Sequence, residues 1–166
     1  MTFYVLFVID LPTRRISICG MTTQPDERWT LQMSRNLLDP DTGLLRDKKH
    51  LIVDRDTKYS AALRLALERE YRGHPSASSF ANMNAYAERF FRSIEDECLS
   101  KLILIGPRML RRSLREYAEH YHRERNHQEI GNRTILPLPV EVHPGGTVDS
   151  RHRLGGLLNY YYRAAA

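Results

Sequence analysis

Two periods of apolar residues divide this chain into elements. Phe3 to Ile9 is an unbroken apolar run rich in β-branched and aromatic residues. Asp10-Leu11-Pro12-Thr13 follows as a turn. Arg14 to Met21 then alternates, with Ile16, Ile18 and Gly20 on one side and Arg15, Ser17 and Cys19 on the other. This predicts a strand–turn–strand hairpin. Asp26 and Glu27 open a helix in which Trp29, Met33 and Leu37 recur at four-residue spacing, and Asp39-Pro40-Asp41-Thr42-Gly43 ends it. His50 to Val53 reads as a short buried strand that runs out at Asp54. A helix from about Ser60 to Tyr71 follows, with Leu63, Ala66, Leu67 and Tyr71 inward. Residues 72–82 show no periodicity and read as irregular loop. A helix from about Asn84 to Leu99 carries Phe90, Phe91, Ile94 and Cys98 as its stripe, and Pro107 starts another that reaches roughly Arg123. After Pro137 the chain is Pro- and Gly-rich, closing on an apolar-aromatic stretch from Leu154 to Tyr162. The order predicts an α/β domain with three layers, with one core over residues 1–136 and a tail over 137–166.

Composition sharpens this picture modestly. With 166 residues, 42% hydrophobic and 27% charged, the chain suits one soluble domain with a real core. The net charge of +5 and a pI near 9.4 lean toward a polyanionic partner. Lysine occurs only at Lys48, Lys49, Lys58 and Lys101, and arginine supplies the remaining positive charge. That excess fits bidentate phosphate contacts, and equally a codon usage that favours arginine. Cys19 and Cys98 form no CxxC pair, so neither a zinc knuckle nor a disulfide framework is indicated, and both read as buried small residues. The opening apolar run is too short to span a membrane and no basic segment precedes it, which predicts a cytoplasmic protein.

Candidate chemistry lies in three places. Asp54 stands at the carboxyl end of a short strand, where α/β sheets present residues to a ligand crevice; a strand-end turn residue is the plainer reading, and Asp56 reads as a turn or capping residue. Glu88 lies one turn into its helix, with Arg92 and Asp96 at successive four-residue steps. An exposed helix with ordinary ion pairs would look the same. As a functional pair, Asp54 and Glu88 offer the hard oxygen ligands that Mg²⁺ or Mn²⁺ takes, with Arg92 beside them for phosphate. From Arg108 to Arg133 there are arginines at 108, 111, 112, 115, 123, 125 and 133, interleaved with His120, His122 and His127 and opposed by Glu116, Glu119, Glu124 and Glu129. A solvated helix face accounts for this stretch, as does a DNA contact through Arg111, Arg112 and Arg115. His120 and His122 point to different sides of a helix, which argues against zinc.

Taken in order, these segments resemble a known family. Phe3 to Asp10 with Thr13-Arg14-Arg15 resembles the second and third strands of the integrase catalytic core of retroviral integrases and bacterial insertion-sequence transposases. The strand ending at Asp54, with Tyr59 after it, is similar too. Asn84-Ala85-Tyr86-Ala87-Glu88-Arg89-Phe90 with Arg92-Ser93-Ile94 resembles the glutamate helix of insertion-sequence transposases and is the most specific match. Tyr121 to Gln128 is similar to the family's downstream helix end, and Arg153 to Tyr161 to tails in one branch of it.

The resemblance implies a ribonuclease H-like fold and an Asp-Asp-Glu triad that binds two Mg²⁺ for DNA cleavage and strand transfer, in a protein that forms homo-oligomers. Carried over, Asp54 is the second Asp, Glu88 the Glu, and Arg92 a DNA-facing position. Two departures stand out. The family's first Asp lies on a strand before Phe3, so the resemblance implies a core truncated at its N-terminus and defective in catalysis; Asp10 matches a position in the next turn that is structural. Residues 72–82 lack the strand and paired prolines expected before the glutamate helix, as a local frameshift would produce. Three expectations follow: a defective Mg²⁺-dependent strand-transferase core, a non-catalytic DNA-binding or self-associating remnant, and a basic metal nuclease built on Asp10, Asp54 and Glu88.

Overall fold

The computed structural model describes residues 1–46, 48, 51–52, 65, 67, 84–137 and 146–163. Of the expected strand only Leu51 and Ile52 are among these; Asp54, most of the helix between 60 and 71, and the loop at 72–82 lie outside them. The chain divides into two compact units: Met1–Phe7 with Cys19–Glu88, and Val8–Ile18 with Arg89–Ala166.

The expected first hairpin is present. Strand β1 (Tyr4–Asp10) pairs with β2 (Arg15–Thr22) in a two-stranded sheet. Its turn is held by side chains: the Thr13 hydroxyl donates to Asp10 Oδ2 at 2.6 Å, and Arg14 takes the left-handed conformation at φ 61°. The continuous apolar run suggested burial on both faces, yet every residue of β1 is only half-buried.

In the first unit, helix α1 (Glu27–Leu38) starts where Asp26 caps it, its carboxylate accepting from the Trp29 amide at 2.8 Å. Thr30, Ser34 and Leu37 form the buried line, with Trp29 and Met33 half-buried beside it. Both lie over Gly20: a Cβ there would meet Met33 Sδ at 2.5 Å and Trp29 Cζ2 at 3.1 Å. After the helix, Asp39 Oδ1 accepts from the amides of Asp41 and Thr42 and from the Thr42 hydroxyl. These bonds hold the Asp39 carboxyl below the usual range. Gly43 then folds back against the helix end, its amide donating to Asp39 O at 2.9 Å.

The second unit is built on two helices. In α2 (Asn84–Glu97) and the residue after it, Phe90, Ile94 and Cys98 recur every four positions and are buried. In α3 (Gly106–Arg123) the buried line is Leu110, Ser113, Leu114 and Tyr117. Aromatic edges join the two: Phe90 lies 5.2 Å from Tyr121 and 6.1 Å from Tyr117, centroid to centroid. Burial pushes the Cys98 thiol up to about 11, so it is a packed apolar group, as expected; Cys19 is only half-buried. Burial, then the neighbouring Glu97 charge, also raises the Tyr117 phenol. The lower end of β2 joins this unit through a buried bond from the Ile16 amide to His122 Nε2 at 2.9 Å.

Within the Pro- and Gly-rich C-terminal stretch, residues 148–163 form an antiparallel hairpin of β3 (Val148–Arg153) and β4 (Leu158–Arg163), in register from Val148↔Arg163 to Arg153↔Leu158. Leu154, Gly155 and Gly156 all have positive φ, so the two glycines form the reversal that a side chain would strain. Helices and strands together give the α/β class, and among the described residues no helix is long and apolar enough to cross a membrane.

Candidate nucleic-acid interface

Glu88 and Arg92 are both exposed on α2, one turn apart as expected. Asp54 and Asp56 lie outside the described residues, so the structure describes one member of the expected carboxylate pair. Glu88 offers the hard oxygen donors that suit Mg²⁺, but alone it makes no site. Among the described residues no group of three or more His, Cys, Asp or Glu is placed to hold a metal ion. The three histidines are otherwise occupied. His122 accepts from Ile16, His120 Nδ1 meets Glu124 Oε2 at 3.0 Å, and His127 Nε2 donates to the Tyr121 carbonyl at 2.7 Å. Asp10 accepts from Thr13 within its turn.

The arginines of the 108–133 stretch separate into two populations. Arg108, Arg111, Arg112 and Arg115 are exposed. At 100° per residue they fall in one stripe on α3, opposite the buried line of Leu110, Leu114 and Tyr117. Arg125 is engaged instead: it donates to Glu97 at 2.9 Å and to the Tyr117 hydroxyl at 3.1 Å, and Tyr117 in turn donates to Glu97 at 3.0 Å.

The acids expected to offset this charge are held elsewhere. Glu124, its side chain fully buried, accepts from Arg153 at 2.7 Å and from Arg151 at 3.4 Å. Glu116 accepts from Arg153 at 2.8 Å and lies 3.9 Å from Arg115. Glu119 pairs with Arg123 at 3.1 Å, one turn away. Glu129 pairs with Arg89 and lies 3.8 Å from Arg14. Burial alone would raise the Glu124 carboxyl, but the bonds from Arg153 and His120 outweigh it and hold it below the usual range. The same bond to Glu124 raises the Arg153 guanidinium. The stripe therefore keeps its charge, which suits it to a row of phosphates.

Sequence reasoning missed Arg151 and Arg153 as the partners of Glu116 and Glu124. The one readable signal was period-two alternation of Arg151 and Arg153, then Leu158, Tyr160 and Tyr162.

Compared with known proteins, residues 72–134 match the family model described as integrase core domain. No curated protein and no solved structure gives a significant match.

Proposed function

We propose, from the match of residues 72–134 to the integrase core domain, that this chain acts on DNA in transposition or integration through a ribonuclease H-like core. The observation that carries the reading is that the matched segment holds both the Glu88 helix and the exposed arginine stripe of α3. Arg111, Arg112 and Arg115, with Arg92 on α2, hold the sugar–phosphate backbone. Asp54 and Glu88 are the carboxylates that would hold Mg²⁺ or Mn²⁺, and such ions supply activation of the attacking oxygen and stabilisation of the leaving one. In this reading the protein works on DNA in the cytoplasm, as a homo-oligomer.

Two ions would take more carboxylate ligands than Asp54 and Glu88 supply, and loss of the positioning such ligands give costs orders of magnitude in rate. Asp10, a further candidate among the described residues, has its carboxylate bonded to Thr13 in a turn. We therefore propose that these 166 residues bind DNA and do not cut it. Two measurements test this. Binding to duplex DNA, followed by fluorescence anisotropy, is expected with a dissociation constant of about 10⁻⁴ to 10⁻⁶ M at physiological salt. Replacing Arg111, Arg112 and Arg115 with alanine weakens it alike for all sequences and lowers the salt slope by about 3. Incubation with Mg²⁺ or Mn²⁺ leaves the DNA intact. Metal-dependent cleavage abolished by Asp10→Ala would overturn the non-catalytic reading and make Asp10 a metal ligand.

A further inference from the structure

Between the 3-10 turn at Leu99–Lys101 and the start of α3 the chain exposes three large aliphatic side chains, two of them almost wholly. Ile103 is 84% exposed and Ile105 79%, while Leu104 between them is 36% exposed. The segment enters and leaves extended, with Leu102 at φ −115°, ψ 138° and Ile105 at φ −96°, ψ 94°. The alternation thus sends both isoleucines outward. The loop is anchored at both ends. Cys98 and Leu110 are buried on either side of it, the amides of Lys101 and Leu102 donate to the carbonyls of Cys98 and Leu99, and Pro107 fixes the first turn of α3.

What surrounds the pair in sequence says what covers it. Lys101 precedes it; Arg108, Arg111 and Arg112 follow, and all are exposed. Two copies meeting through this loop would bring like charges together. Two side chains also fall far short of the roughly 800 Å² per partner that a stable protein interface buries. A polyanion meets neither objection. Proteins that kink DNA insert Ile, Leu or Phe between base pairs and hold the adjoining phosphates with arginine. We propose that Ile103 and Ile105 form a wedge that partly unstacks a base step of duplex DNA while the α3 arginines hold its backbone. The inference rests on the DNA-binding reading above and adds to it that the bound duplex is deformed.

Permanganate, which oxidises unstacked thymines, tests it on the full chain bound to a thymine-rich duplex, scanned at every thymine. The expected result is a several-fold gain in reactivity at one or two steps on binding. In the double variant Ile103→Gln, Ile105→Gln the gain disappears while affinity stays within about threefold, because the phosphate contacts set most of it. The variant Ile103→Met, Ile105→Met retains the gain. Both side chains are exposed, so these changes leave the fold intact, which an unchanged thermal melt verifies. DNA bound without any permanganate-reactive thymine overturns the wedge and leaves the DNA-binding reading standing. A gain that persists in the glutamine variant also overturns it, as does a dimer by sedimentation that only the glutamine variant loses. Absence of DNA binding at low salt overturns both readings.

Discussion

Two sides of one helix put arginine to opposite uses. Along the outer stripe of α3, Arg108, Arg111, Arg112 and Arg115 stand in solvent. On its flank, Glu116 and the Glu124 that follows the helix receive Arg153 from the terminal hairpin, with Glu124 fully buried and Arg153 15% exposed. The flank is structural: a buried carboxylate is tolerable only beside its counter-charge. The stripe is exposed: apart from Arg115, which also lies 3.9 Å from Glu116, its guanidiniums face outward where a ligand's phosphates could meet them. A count of charges along the segment makes the two indistinguishable. Which acid faces which base decides the matter, and Arg153 lies 29 residues from Glu124 in sequence.

The largest test of this contrast removes one partner from the flank. Glu124→Gln removes the buried counter-charge and leaves the Arg153 guanidinium with Glu116 as its remaining carboxylate, and should lower the unfolding free energy by about 2–4 kcal/mol. Urea denaturation measures it. Arg111→Ala and Arg112→Ala should each stay within about 0.5 kcal/mol of the parent. Equal losses from flank and stripe would erase the distinction.

Acidification probes the flank and the buried histidines together. Burial, the first cause in each case, lowers the His122 and His127 pKa values, and Glu124 is held low by its partners. A group whose folded pKa is depressed contributes its stability above the unfolded value and loses it as pH falls through the folded one. The histidines therefore act below about pH 6.5 and Glu124 below about 4.5. His122 is neutral, because Nε2 accepts from the Ile16 amide, and protonation removes that acceptor. The melting temperature should fall continuously from about pH 6.5 downward, and His122→Gln, whose amide oxygen can still accept, should flatten the upper part of that decline. A melt independent of pH from 7 to 5 would count against the buried histidine bond.

The smallest effect concerns the core line opposite the stripe. Ser113 Oγ is buried and, among the described residues, has no hydrogen-bond partner. Ser113→Ala should be neutral or stabilising by up to about 1 kcal/mol in the same denaturation assay. A clear loss would show that this hydroxyl has a partner.

Local signals in the sequence were the readable ones. Asp26 before a four-residue apolar spacing marked the start of α1, Pro107 the start of α3, and Asp-Leu-Pro-Thr the first turn, because caps and turns are decided by residues within a few positions. The terminal hairpin escaped because Leu154-Gly155-Gly156 reads as loop composition, whereas three consecutive positive φ values make it a reversal. Its docking escaped because Arg153 and Glu116 meet only once the chain has folded back. Glu88 and Arg92 lie one helical turn apart on an exposed face, as their spacing implied, whereas the stripe formed by Arg108, Arg111, Arg112 and Arg115 becomes visible only once the buried line of α3 is known.

The Arg153 clamp also orders events in time. Synthesis proceeds from the N-terminus, so α3 leaves the ribosome carrying Glu116, with Glu124 just after it, before the guanidinium that will neutralise them has been made. Until Arg153 emerges, these carboxylates lack the counter-charge that the β3–β4 hairpin brings to them. A nascent chain halted before residue 153 would hold that flank open to water, within reach of proteases and chaperones.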